Sequence, residues 1–65
     1  MTLQKAHELL QDQADFGGFY NRNAARLILA EVQREHGIAA ADKLIRELDL
    51  GQVFGFRPGS EITPL

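Results

Sequence analysis

The sequence predicts an all-α domain of three helices followed by a non-helical C-terminal arm. Three observations carry this. Apolar residues recur at helical spacing from Leu3 to Leu48. Glycines interrupt the pattern at Gly17 and Gly18, at Gly37 and at Gly51, where helices would have to end. Beyond them, residues 52–65 lose the periodicity and carry Gly55, Pro58, Gly59 and Pro64.

Thr2 has the hydroxyl that caps a helix start, and the stripe Leu3, Ala6, Leu10 and Ala14, widened by Leu9, predicts a first helix over 2–14. Segment 15–20 breaks it, because paired glycines disfavour helix and open backbone angles that other residues avoid. Asn21 or Asn23 can cap a second helix over 22–36, whose inner face is Ala24, Ala25, Ile28, Leu29 and Val32, with Gly37 as its stop. A third helix over 39–50 places Ala41, Leu44, Ile45 and Leu48 on one face, pairs Asp42 with Arg46 at i,i+4, and ends at Gly51. So short a joint, residues 35–38, folds helices two and three against each other as a hairpin or a crossed pair. In the arm, Val53, Phe54 and Phe56 suit an extended segment with room for one short strand, and residues 57–60 read as a turn. Residues 1–51 and the arm 52–65 together make a single domain.

Size and composition bound the function. Sixty-five residues with 45% apolar and 25% charged side chains describe a folded globular chain, not a disordered one. A domain of this length buries only about 60% of its unfolded surface, so self-association is an expected supplement. The chain has no Cys and two distant His, which removes disulfides, thiolate zinc sites and any obvious metal centre; no cofactor is expected. A net charge of −2 supplies no global attraction to nucleic acid or anionic lipid. No run approaches the ~20 apolar residues that span a bilayer, and the start of the chain lacks a basic segment followed by an apolar one, so a cytoplasmic protein without membrane association is expected.

Two features depart from a plain bundle. All five aromatics, Phe16, Phe19, Tyr20, Phe54 and Phe56, lie outside the helical stripes. Either the arm folds back so that its phenyl rings close the open end of the bundle near the first joint, or it docks on a second chain. Leu27 is the other departure. At ~100° per residue it falls on the side of helix two away from Ala25 and Val32, which suits a helix packed on both sides. Leu27, Phe54, Phe56 and the adjoining Arg57 are therefore the candidate interface residues.

Catalysis is not expected. The hydroxyls Thr2, Tyr20, Ser60 and Thr63 lack an adjacent base in any motif, and the acidic residues of the helices sit on polar faces. His7 and His36 flank apolar stripes without convergent carboxylates, and His36 in a last helical turn suits the negative helix end. The helix pair around Gly37 has a superficial likeness to a DNA-reading helix-turn-helix, with Arg22, Arg26, Arg34, Lys43 and Arg46 as the candidate nucleic-acid contacts. Asp42, Glu47 and Asp49 stand among them on helix three. The expectation is thus a small regulatory or protein-interaction module working as a homodimer, with a dimeric DNA-binding regulator as the alternative and another protein as the other class of partner.

Overall fold

The computed structural model describes residues 1–16 and 19–62. Four helices appear among them, and no strand. Thr2 caps the first as expected: its Oγ1 accepts the Lys5 N–H at 3.1 Å and its carbonyl accepts the Ala6 N–H at 3.0 Å. Helix α1 (Leu3–Phe16) runs beyond the predicted end, and the Gln11 amide donates to Asp15 Oδ1 at 3.0 Å across its last turns. Ala6 and Leu10 are fully buried, with Ala14 packed beside them. The joint at Gly17 and Gly18, the side chains of Phe19 and Tyr20, and Pro64 lie outside the described residues.

Helix α2 (Phe19–His36) begins before both predicted caps, so Asn21 and Asn23 are helical residues, not N-caps. The cost of an Asn inside a helix is a few tenths of a kcal/mol, less than the burial gained by the long face that ends in Ala25, Leu29 and Val32, all at 0% exposure. Its C-terminus is as predicted. Gly37 donates its N–H to the Gln33 carbonyl at 2.9 Å and takes φ 93°, ψ 169°, a region in which a side chain would clash with its own backbone. With that one residue the chain reverses into α3 (Ile38–Glu47), which packs on α2 and buries Ala41, Leu44 and Ile45 in the common core.

The predicted third helix to residue 50 is corrected by a break at Asp49, which adopts a left-handed conformation at φ 56°. The reason is rotational. Continued at ~100° per residue, the helix would carry Leu50 to the side opposite Ala41, Leu44 and Leu48. The left-handed residue, a conformation Asp tolerates better than most, re-aims the chain into α4 (Leu50–Phe54), whose i,i+4 pair Leu50 and Phe54 both enter the core. Gly51, expected as a stop, is instead inside α4. A Cβ built there would meet the Phe56 carbonyl oxygen at 3.1 Å, so the absence of a side chain lets the arm close over the helix.

The segment around Val53, where the sequence left room for one short strand, is therefore helix and turn. Phe54 and Phe56, expected at an interface, are each 7% exposed within the single chain, their rings edge-on at 6.1 Å and 66°. Three side chains strap the arm to the bundle through its backbone. Arg22 donates from Nε to the Phe54 carbonyl at 2.9 Å while its guanidinium lies 5.4 Å from the Phe56 ring centre. The Gln33 amide both donates to the Ser60 carbonyl at 2.7 Å and accepts the Ile62 N–H at 2.8 Å, as a neighbouring β-strand would. Asp42 Oδ1, expected to pair with Arg46, instead accepts the Gly59 N–H at 2.7 Å.

The other end of the chain is tied down as well. The Met1 ammonium meets both Glu35 carboxylate oxygens at 2.9 and 3.0 Å, and His36 Nε2 donates to the Met1 carbonyl, which can only accept, at 2.9 Å. The hydrogen bond between the Met1 ammonium and Glu35 raises the amine pKa above its ordinary value and lowers that of the Glu35 carboxyl. The accessible surface is 4134 Å², close to the ~4200 Å² expected for a folded monomer of this mass. The core is thus closed by the chain itself. No described helix is long and apolar enough to cross a membrane.

Candidate interaction face

Helix α2 is packed on one side by the core and carries an apolar residue on the other. Leu27 stands two positions from both Ala25 and Leu29, hence ~200° from each around the helix axis. It is 49% exposed where its two neighbours on the inner face are at 0%. Ala30, Glu31 and Arg34 continue this outer face at i+3, i+4 and i+7.

The fold brings two further apolar residues to it. Ile38, the first residue of α3, is placed by the single-residue link at Gly37 and is 45% exposed. Ile62, half-buried at the end of the strap, is positioned by the Gln33 amide that holds its N–H. Leu27, Ala30, Ile38 and Ile62 thereby line an open groove of about 700 Å³ with Glu31, Gln33, Arg34 and Glu61 as the polar members of its lining. Arg34 Nη2 lies 3.8 Å from Glu31 Oε1, and the Arg34 side chain is 76% exposed. A pair at this distance and exposure holds neither charge firmly, so both are available to another surface.

Of the residues expected at an interface, Leu27 lines this groove, whereas Phe54 and Phe56 lie in the core. Arg57 is exposed and shares a smaller cleft of about 260 Å³ with Arg26, Phe56 and Glu61. The five basic residues proposed for nucleic acid divide between two helices, Arg22, Arg26 and Arg34 on α2 and Lys43 and Arg46 on α3. Arg22 is engaged by the arm, Arg26 lines the small cleft, Arg34 the large groove, and Lys43 a third depression beside Leu3, His7 and Leu44. Arg46 is in the last turn of α3 and lines none of the three.

Three residues of the face were not anticipated. Ile38 belonged to a joint, so helical periodicity did not mark it. Ile62 stands alone among polar and Pro residues, and only the fold brings it to α2. Gln33 is a polar side chain that no motif or periodicity singles out, although its position one turn before Gly37 is where a helix can still reach a returning chain.

Among the described residues, no polar or charged side chain is buried and no group of three or more His, Cys, Asp or Glu could hold a metal ion. Comparison with protein-family models, with curated proteins and with solved structures finds no match to this chain.

Proposed function

We propose that this chain is a small regulatory or interaction module that acts through the outer face of α2, as a cytoplasmic homodimer and without catalysis of its own. The observation that carries this reading is the groove of Leu27, Ala30, Ile38 and Ile62, open to solvent on a chain whose arm aromatics are buried. Apolar side chains contiguous on a surface and rimmed by charge mark interaction sites far more than isolated ones do. The association it supports is surface docking, not completion of an unfinished core, because the arm already closes that core. Arg22 is already engaged by the arm, and Asp42, Glu47 and Asp49 stand among Lys43 and Arg46, which gives duplex binding no comparable support.

Sedimentation equilibrium tests it, with wild type and Leu27→Glu compared at matched helicity. Burying the exposed half of a leucine contributes roughly 0.7–1.5 kcal/mol, and in a symmetric dimer the substitution counts twice. The expected result is a concentration-dependent dimer whose dissociation constant rises by about 10- to 100-fold in Leu27→Glu. A wild type that stays monomeric, or a variant that dimerises equally well, overturns the reading.

A further inference from the structure

Resting on that reading, we infer that the groove is filled by α2 of a second copy lying antiparallel, about a two-fold axis that passes between Ala30 and Glu31. Leu27 and Arg34 are seven residues apart on one face, about 10.5 Å along the axis, and their midpoint falls between those two residues. An antiparallel partner centred there lays its Leu27 at the level of Arg34, beside Ile38 and Ile62, and receives Leu27 in return. Each copy supplies one knob and one groove, as an isologous interface requires. Ala30, at the axis, has no side chain beyond Cβ to hold the helices apart at the 8–10 Å typical of packed pairs.

The two Arg34 favour this direction. In a parallel pair, Glu31 would face the partner's Glu31 and Arg34 the partner's Arg34. In the antiparallel pair the two Glu31 carboxylates still approach near the axis, but the two Arg34 lie ~10.5 Å apart along it, each ~6 Å from the level of the partner's Glu31, toward which its long side chain reaches. Two carboxylates and two guanidiniums then alternate with no net charge. Arg34 is free to do this, since its contact with its own Glu31 is 3.8 Å long and its side chain 76% exposed. The contact need not stop at α2, since the groove extends beyond it to Ile38 and the strap at Glu61 and Ile62.

Charge-swapped chains test whether Glu31 and Arg34 meet their counterparts across the interface, as this register requires. Glu31→Arg alone gathers four arginines around the axis and Arg34→Glu alone gathers four glutamates, so each homodimer should weaken at least tenfold. Mixed in equal amounts, the two variants should form a heterodimer near wild-type affinity, read by native mass spectrometry and sedimentation. If wild type dimerises but the single variants dimerise equally well, or the mixture binds no better than either alone, this register is overturned while self-association stands. If wild type is a monomer throughout, both fall.

Discussion

Phe54→Ala separates a ring that holds the monomer together from one that waits for a partner. Phe54 is 7% exposed, the inward member of the Leu50 and Phe54 pair of α4, and its ring meets Phe56 edge-on at 6.1 Å. Truncating such a ring removes its burial and leaves a cavity, a loss of about 3–5 kcal/mol. A 65-residue domain has roughly 3–10 kcal/mol in total at 0.05–0.15 kcal/mol per residue, so the variant loses from a third of its stability to all of it. At 4–8 °C per kcal/mol for a domain of this size, the melting temperature falls by roughly 12–40 °C. Val53 is the internal control: one position away and 43% exposed, its truncation to Ala should change stability by less than about 1 kcal/mol. Urea unfolding followed by far-ultraviolet circular dichroism measures both. The account is refuted if Phe54→Ala unfolds at the same urea concentration as Val53→Ala while its self-association is lost, for the ring would then belong to an interface.

Other expectations follow from single contacts. Gly37→Ala should cost about 1–3 kcal/mol in denaturant titration, because φ 93° with ψ 169° is a backbone region essentially reserved for glycine; a stabilised variant would mean the link between α2 and α3 has another geometry. Gln33→Ala removes both hydrogen bonds to the strap, together about 1–2 kcal/mol at exposed sites. Amide exchange at Ile62 should quicken while protection at Leu29 and Ile45 holds, and unchanged exchange at Ile62 would count against the strap. The Met1–Glu35 pair makes a pH prediction with opposite signs at its two ends. Glu35 titrates below its ordinary value of 4.5, so its contribution is present above that value and fades as pH falls through the lowered one. The amine titrates above 8.0, so its contribution is present below 8.0 and fades as pH rises through the raised value. In Glu35→Gln, an NMR titration should find the amine shifted down toward its ordinary value, and an unmoved amine would exclude the pair.

Much of the helical core was legible because helical spacing records burial on one face: Ala6, Leu10, Ala25, Leu29, Val32, Ala41, Leu44 and Ile45 were all marked and all are buried. Thr2 and Gly37 were legible for a different reason, since each has a backbone role that few residues fill. The break at Asp49 was not. Gly51 is the stronger stop signal by local propensity, but the core demanded a turn two residues earlier to bring Leu50 round, and only tertiary packing expresses that demand. The short helix at the start of the arm was hidden in the same way, although one of the two readings of the arm, a fold back over the bundle, is the one its buried rings adopt. Val53, Phe54 and Phe56 have strand propensity in isolation, and burial of Leu50 and Phe54 on one helical face outweighed it. At the candidate face, Leu27 was visible as an apolar residue on the wrong side of its helix. Ile38 and Ile62 were not, because what makes them neighbours is the one-residue link at Gly37 and the amide clasp of Gln33.

The central claim, a self-closed monomer that associates through the outer face of α2, is tested most directly by isotope-filtered NOE spectroscopy on an equimolar mixture of labelled and unlabelled chains. The account predicts intermolecular contacts from the Leu27 methyls to those of Ile38 and Ile62, with every contact of the Phe54 and Phe56 rings confined to one chain. Intermolecular contacts at those rings, or none at Leu27 in a sample that is dimeric, would contradict it.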